Sequence, residues 1–282
     1  MIIDDEKVTT EEIRHWKGLH LLHFQGSTCS QKVRLLLREL SLDWTAHSVN
    51  LLKHENASAW FLGINPRGVV PVLIDDGVVH VESNDIIAYL DDRYAPPGSS
   101  FLFDNNDAKA STAAIFLEKE HSLHRDLRLL TMEFGPLRMK TEQQIAQQEG
   151  NGTPDEERDS EVRWWRERLR TANAAEDIDG ACSRISAALT DLDNTLAVQA
   201  FLVGDRISIV DIAWFVNVQR LRRIGFPVSR FANLYKYYLK LASRPAFLED
   251  AKHPASKVGQ VVFAAYRFKN RVKGRALESF LY

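Results

Sequence analysis

Residues 69–81, VVPVLIDDGVVHV, leave a folded chain few choices. Two β-branched runs, Val69 to Ile74 and Val78 to Val81, flank Asp75-Asp76-Gly77. Asp-Gly between such runs signals a tight hairpin, because the turns that match strand twist need residues tolerant of positive φ. Val70-Pro71 stands where a loop enters the first strand. Proline has no N–H to give a ladder, so it belongs at a strand start or an edge. Upstream, Leu19 to Phe24 reads as a strand, and a turn follows at Gln25-Gly26-Ser27-Thr28. From Cys29, apolar Val33, Leu36, Leu37 and Leu40 recur at helical spacing. WTAHSVNLL then reads as a second strand, which predicts a parallel, right-handed β-α-β unit. Downstream, NDIIAYLDDRY puts Ile86, Ile87 and Leu90 on one helical face. The order β-α-β, hairpin, helix makes a compact α/β layer.

Ala95 to Phe101, APPGSSF, breaks this pattern and is the expected domain boundary. Everything after it reads as helix. The expected fold is an α/β thioredoxin-like N-terminal domain plus an all-α C-terminal domain. The expected divisions are an N-terminal extension over 1–17, the α/β domain over 18–95, a linker over 96–103, the helical domain over 104–250 and a C-terminal extension over 251–282. Residues 107–131 carry apolar positions at helical spacing, with His121 and His124 at i, i+3. Residues 141–160 are polar and contain Gly150, Gly152 and Pro154, which predicts a mobile loop or helix break. Ser208 and Asp211 have the spacing of a capping box before an apolar helix. The C-terminal segment carries Val258, Val261, Val262, Ala265 and Phe268 as an apolar stripe among Lys and Arg. Such a stripe suits a membrane-surface helix, a segment folded back over the first domain or one packed on the helical domain; an apolar stripe is usually core, so packing is the expectation.

Composition narrows the function classes. Of 282 residues, 45% are hydrophobic and 26% charged, with a formal net charge of −2. No global basic field points to nucleic acid. Two cysteines, Cys29 and Cys182, supply neither a disulfide framework nor a Cys-rich metal site, and free thiols fit a reducing compartment. The first residues lack the basic start and apolar core of a signal peptide. No stretch nears the roughly 18 apolar residues of a spanning helix. The expectation is a cytoplasmic protein without metal, nucleic-acid or membrane partners.

Three features carry chemistry. A cis peptide at Val70-Pro71, as expected of a proline at this place in a thioredoxin-like layer, would turn the Val70 N–H and C=O outward, where an extended peptide can pair with both. Glu82-Ser83 opens a helix whose N-terminus suits a carboxylate, while the Glu82 side chain can accept from an ammonium. Together these groups suit an α-amino acid end. The third feature is GSTCSQKVR, Gly26 to Arg34, where hydroxyls and a thiol meet a helix start. The dipole and free N–H groups there stabilise a thiolate.

The run Asn65-Pro66-x-Gly68-x-Val70-Pro71-x-Leu73, the hairpin and Glu82-Ser83 closely resemble the glutathione-binding half of cytosolic glutathione transferases. The likeness extends from about Gly18 to Phe247 and includes the linker, the helical domain and the Ser208–Asp211 box. It implies the glutathione transferase fold, with glutathione as co-substrate. Val70 would pair with the cysteinyl residue beside cis-Pro71, Glu82 and Ser83 would hold the γ-glutamyl end, and Lys53 or His54 would face the glycyl carboxylate. Ser27 falls where the zeta and theta classes place their serine, and Cys29 where beta-class enzymes place their cysteine. STCSQKVR also resembles tetrachlorohydroquinone reductive dehalogenases and zeta-class isomerases. The polar stretch 141–160 resembles ganglioside-induced differentiation-associated proteins. The resemblance implies a homodimer. It also implies a thiolate attacking a small hydrophobic electrophile between the domains, with His121, His124 or Arg128 touching it and Cys29 allowing thiol exchange or reductive chemistry. A glutathione-binding protein without turnover is the alternative.

Overall fold

The computed structural model describes residues 1–103, 108–137, 140–150, 156–170 and 175–280. Its contacts divide the chain into two units. One comprises residues 1–33, 41–89 and 138–172, and the other 34–40, 90–137 and 173–282.

The first unit is built on four strands, β1 (Leu19–His23), β2 (Thr45–Ser48), β3 (Val72–Asp75) and β4 (Val78–His80), in the order β2-β1-β3-β4. β1 and β2 are parallel, joined through helix α1 (Thr28–Glu39), and β3 runs antiparallel to β1 and β4. Asp76 and Gly77 both take positive φ, 48° and 88°, as a two-residue primed hairpin requires. A side chain at Gly77 would also meet the Arg14 carbonyl oxygen at 2.6 Å. The strand faces bury Leu22, Val72, Ile74 and Val79 with Phe61 and Ile64. Val8 and Ile13 join the same cluster, and Ile3 N–H donates to the Val79 carbonyl at 3.0 Å. The polar average of residues 1–17 hides these apolar contacts. A short helix α2 (Ala59–Leu62) leads toward β3, and α3 (Ser83–Tyr94) follows β4.

The second unit is helical. It holds α4 (Ala108–Ser122), α5 (His124–Phe134), α8 (Ala175–Val198), α9 (Ile209–Ile224), α10 (Ala232–Ala242), α11 (Pro245–Lys252) and α12 (Pro254–Val272). Helices α6 (Glu142–Gly150) and α7 (Glu156–Arg170) belong to the sheet-containing unit. α9 starts at the anticipated capping box. Ser208 N–H donates to Asp211 Oδ2 at 2.6 Å, and Leu202 N–H and the Tyr237 hydroxyl bond to Oδ1.

Three expectations are corrected. Of the two readings of 141–160, the helical residues 142–150 and 156–160 rule out the mobile loop, while a helix break would fall at 151–155, outside the described residues. The cause is a second reciprocal cap. Thr141 N–H donates to Gln144 Oε1 at 2.8 Å and Gln144 N–H to Thr141 Oγ1 at 3.3 Å, while Ile145, Val162 and Trp165 are buried. The helical pattern over 107–131 is broken at Leu123, which leaves His121 at the end of α4 and His124 at the start of α5. The C-terminal stripe does not pack: α12 buries Ser256 and Phe263, and Val258, Val261, Ala265 and Phe268 face outward.

Candidate functional site

Strand register gathers the candidate residues. In β1 and β2, His23 pairs with Ser48, so both strands end together. Leu22 pairs with Val72, and Leu73 with His80, so β3 begins and β4 ends at that same edge. Four connections therefore leave one end of the sheet. They carry Ser27 and Cys29 after β1, Lys53 and His54 after β2, Val70 and Pro71 before β3, and Glu82 and Ser83 after β4. The first turns of α1 and α3 begin here too, bringing two positive dipole ends. His121, His124 and Arg128 belong to the helical unit, where His121 is exposed and the other two half-buried.

The loop into β3 is held by two asparagines. Asn56 Nδ2 donates to the Gly68 carbonyl at 2.7 Å, and Asn65 Nδ2 to the Val69 carbonyl at 2.9 Å. The Val70–Pro71 peptide is cis. Among the described residues, neither the Val70 N–H nor its carbonyl bonds to another backbone group outside regular elements. Glu82 takes φ 64° and pairs with Arg67, each side chain about a quarter exposed. Its carbonyl accepts from Ile86 N–H at 2.8 Å, which starts α3, and Ser83 is buried at the first helical position.

Ser27 is the N-cap of α1. Its carbonyl accepts from Gln31 N–H at 3.0 Å and its Oγ accepts from Ser30 N–H at 3.2 Å. A hydroxyl that accepts through oxygen keeps its hydrogen, so Ser27 can still donate to an anion at the sheet end. Cys29 is in no disulfide and lies half-buried in the first turn. Cys182 lies in the helical core, where burial, then Asp179 and Asp126, push its thiol up to about 11. Lys53 is exposed, while His54 is half-buried in a left-handed conformation and lies against Gln144 of α6. Burial, then the nearby Lys140, lowers the His54 pKa and favours the neutral ring.

Sequence reasoning missed Asn56, Arg67, Lys140 and Gln144, and it named Asn65 in the motif without its role in holding the loop. Asn65 had a local signal, since asparagine side chains commonly close turns before Pro and Gly. Gln144 had none, because ninety residues separate it from His54. Among the described residues no group of three His, Cys, Asp or Glu side chains could hold a metal ion.

Residues 21–98 match the family model described as "Glutathione S-transferase, N-terminal domain", and residues 157–245 match "Glutathione S-transferase, C-terminal domain". The chain belongs to the cytosolic glutathione S-transferase superfamily. Among similar proteins, Glutathione S-transferase GstB of Escherichia coli (strain K12) is 29% identical over 234 residues, covering 82% of this chain and 96% of that protein. Glutathione S-transferase Z2 of Arabidopsis thaliana is 43% identical over 79 residues, but these span only 28% of this chain and 35% of that protein. Among solved structures, Beta-etherase LigF from Sphingobium sp. strain SYK-6 superposes with a TM-score of 0.69 at 27% identity, covering 82% of this chain and 98% of LigF. This glutathione transferase thus carries a thioredoxin-like sheet domain and a helical domain, and its chemistry is glutathione-dependent.

Proposed function

We propose that glutathione lies across the sheet end, with Val70 pairing its cysteinyl backbone, Glu82 and Ser83 holding the γ-glutamyl end, and Lys53 and His54 facing the glycyl carboxylate. The observation that carries this reading is the convergence of all four connections at one end of the sheet. Ser27 donates its remaining hydrogen to the glutathione sulfur. Stabilising the thiolate lowers the thiol pKa and supplies a nucleophile at neutral pH. The thiolate attacks a small hydrophobic electrophile. Cys29 supplies thiol exchange: its thiolate attacks the protein-side sulfur of a mixed disulfide and glutathione leaves as the thiolate. The protein acts in the cytoplasm as a homodimer.

Ser27→Ala tests the assignment. Turnover against a panel of halogenated, isomerisable, ether and mixed-disulfide substrates should fall by about 100-fold, the scale of one positioned proton donor. Glutathione should still raise the melting temperature, because the other contacts remain. Undiminished turnover would remove Ser27 from the chemistry. Loss of the glutathione-induced shift in Glu82→Gln with Ser83→Ala would support the γ-glutamyl assignment.

A further inference from the structure

Helix α12 is amphipathic in an unusual sense: its apolar side faces away from the protein. Taking about 100° per residue, Ser256 and Phe263 define the packed side, and both are buried. Centred on the opposite side is Ala265. Val258, Val261, Phe268 and Val272 fall within roughly 60° of it and are 63%, 71%, 71% and 71% exposed. The stripe runs about 21 Å from Val258 to Val272. Exposed apolar positions aligned over four turns mark a contact surface rather than scattered surface residues.

The rims of the stripe say what it contacts. Lys257 borders one side, and Lys269 and Lys273 the other. The helix contains no Asp or Glu between Pro254 and Val272. Among the described residues, Lys257 and Lys273 form no ion pair, and Arg271 meets only Glu278. Two copies facing each other through this stripe would set lysine against lysine at both edges. An anionic lipid surface meets the same arrangement favourably: apolar side chains enter the acyl boundary while flanking lysines reach the headgroups. No described helix is long and apolar enough to cross a membrane, so the contact is peripheral.

We propose that α12 docks this glutathione transferase on an anionic lipid surface, with Phe268 and Val261 inserted and Lys257, Lys269 and Lys273 at the headgroups. The proposal stands independently of the glutathione assignment, because it uses only α12. The test is sedimentation of the full chain with phosphatidylcholine vesicles, with and without phosphatidylserine. Binding should require phosphatidylserine and weaken steeply as salt rises. Phe268→Asp should lower the bound fraction by about tenfold or more, with an unchanged melting curve because the side chain is exposed. Lys257→Glu with Lys273→Glu should abolish the phosphatidylserine preference. No sedimentation with phosphatidylserine vesicles at low salt would overturn the proposal, as would binding that Phe268→Asp leaves intact. Self-association without lipid, lost in Phe268→Asp and unaccompanied by vesicle binding, would assign the face to a second copy and also overturn it.

Discussion

The two contact units use buried polarity in opposite ways. In the helical unit, charge is closed upon itself. Arg34 and Asp250 are each 1% exposed, with Arg34 Nε 2.8 Å from Asp250 Oδ1. Asp211 accepts from Ser208, Leu202 and Tyr237, which leaves its carboxylate little capacity for anything else. At the sheet end, polar groups keep capacity in reserve. Ser27 retains its hydroxyl hydrogen, the Val70 backbone bonds to no other backbone group among the described residues outside regular elements, and the Arg67–Glu82 pair stays partly open to solvent. A carboxylate with all its lone pairs engaged holds a fold together. One with a lone pair to spare can recognise a ligand. The same residue types thus close structure in one unit and keep hydrogen-bonding capacity in the other.

This contrast breaks most sharply at Asp250. Asp250→Ala takes the carboxylate from the buried Arg34 guanidinium, and removing one partner of a buried pair costs about 3–5 kcal/mol. Arg38, 3.5 Å from the same carboxylate, would also lose a neighbour. Urea unfolding should show a markedly lower midpoint. Replacing both members by apolar residues, as in Arg34→Met with Asp250→Leu, should cost far less, because the buried guanidinium goes together with its carboxylate. An equally large loss in the double variant would mean that packing, not charge closure, sets the cost.

What could be read from the chain follows the range of each interaction. The hairpin and the Ser208–Asp211 box depend on neighbours a few residues apart and declared themselves locally, whereas the cis proline followed from its place in the layer. The gathering of Ser27, Val70 and Glu82 needed the β1–β3 pairing, which the β-α-β and hairpin signals do not supply and the family resemblance implied. Thr141 and Gln144 were also a local cap, yet Gly150, Gly152 and Pro154 nearby obscured it, since breakers weigh more heavily in a short window than a polar Thr-x-x-Gln. The outward stripe of α12 was legible as a stripe but not as outward. Periodicity reports that a helix has an apolar face, while only packing decides which way that face turns.

A smaller effect separates the units by pH. His47, His54 and His80 all belong to the sheet-containing unit, and burial is the leading cause lowering each pKa. His20 adds to the effect at His47, Lys140 adds to it at His54, and Asp75 opposes it at His80. Below the unfolded value of about 6.5, the unfolded chain takes up protons that the folded rings resist. Their contribution to stability is therefore intact above pH 6.5 and is lost as pH falls through the lowered folded values. Melting temperature should decline below pH 6.5, and His80→Gln should flatten that decline. An unchanged slope would show that His80 charges as readily in the fold as outside it.

The smallest expected stability change is the most informative about Ser27, which caps α1 and is proposed to act in the chemistry. As N-cap of α1 it satisfies the Ser30 N–H, and losing such a cap costs about 1 kcal/mol. Ser27→Ala should therefore lower stability slightly while removing most turnover. Ser27→Asp separates the two roles. Aspartate caps a helix as well as serine does, but when ionised it has no proton to donate. It should restore the melting temperature and leave turnover low. Recovery of turnover along with stability would reduce Ser27 to its structural role and shift the thiolate-stabilising assignment to another group at the start of α1.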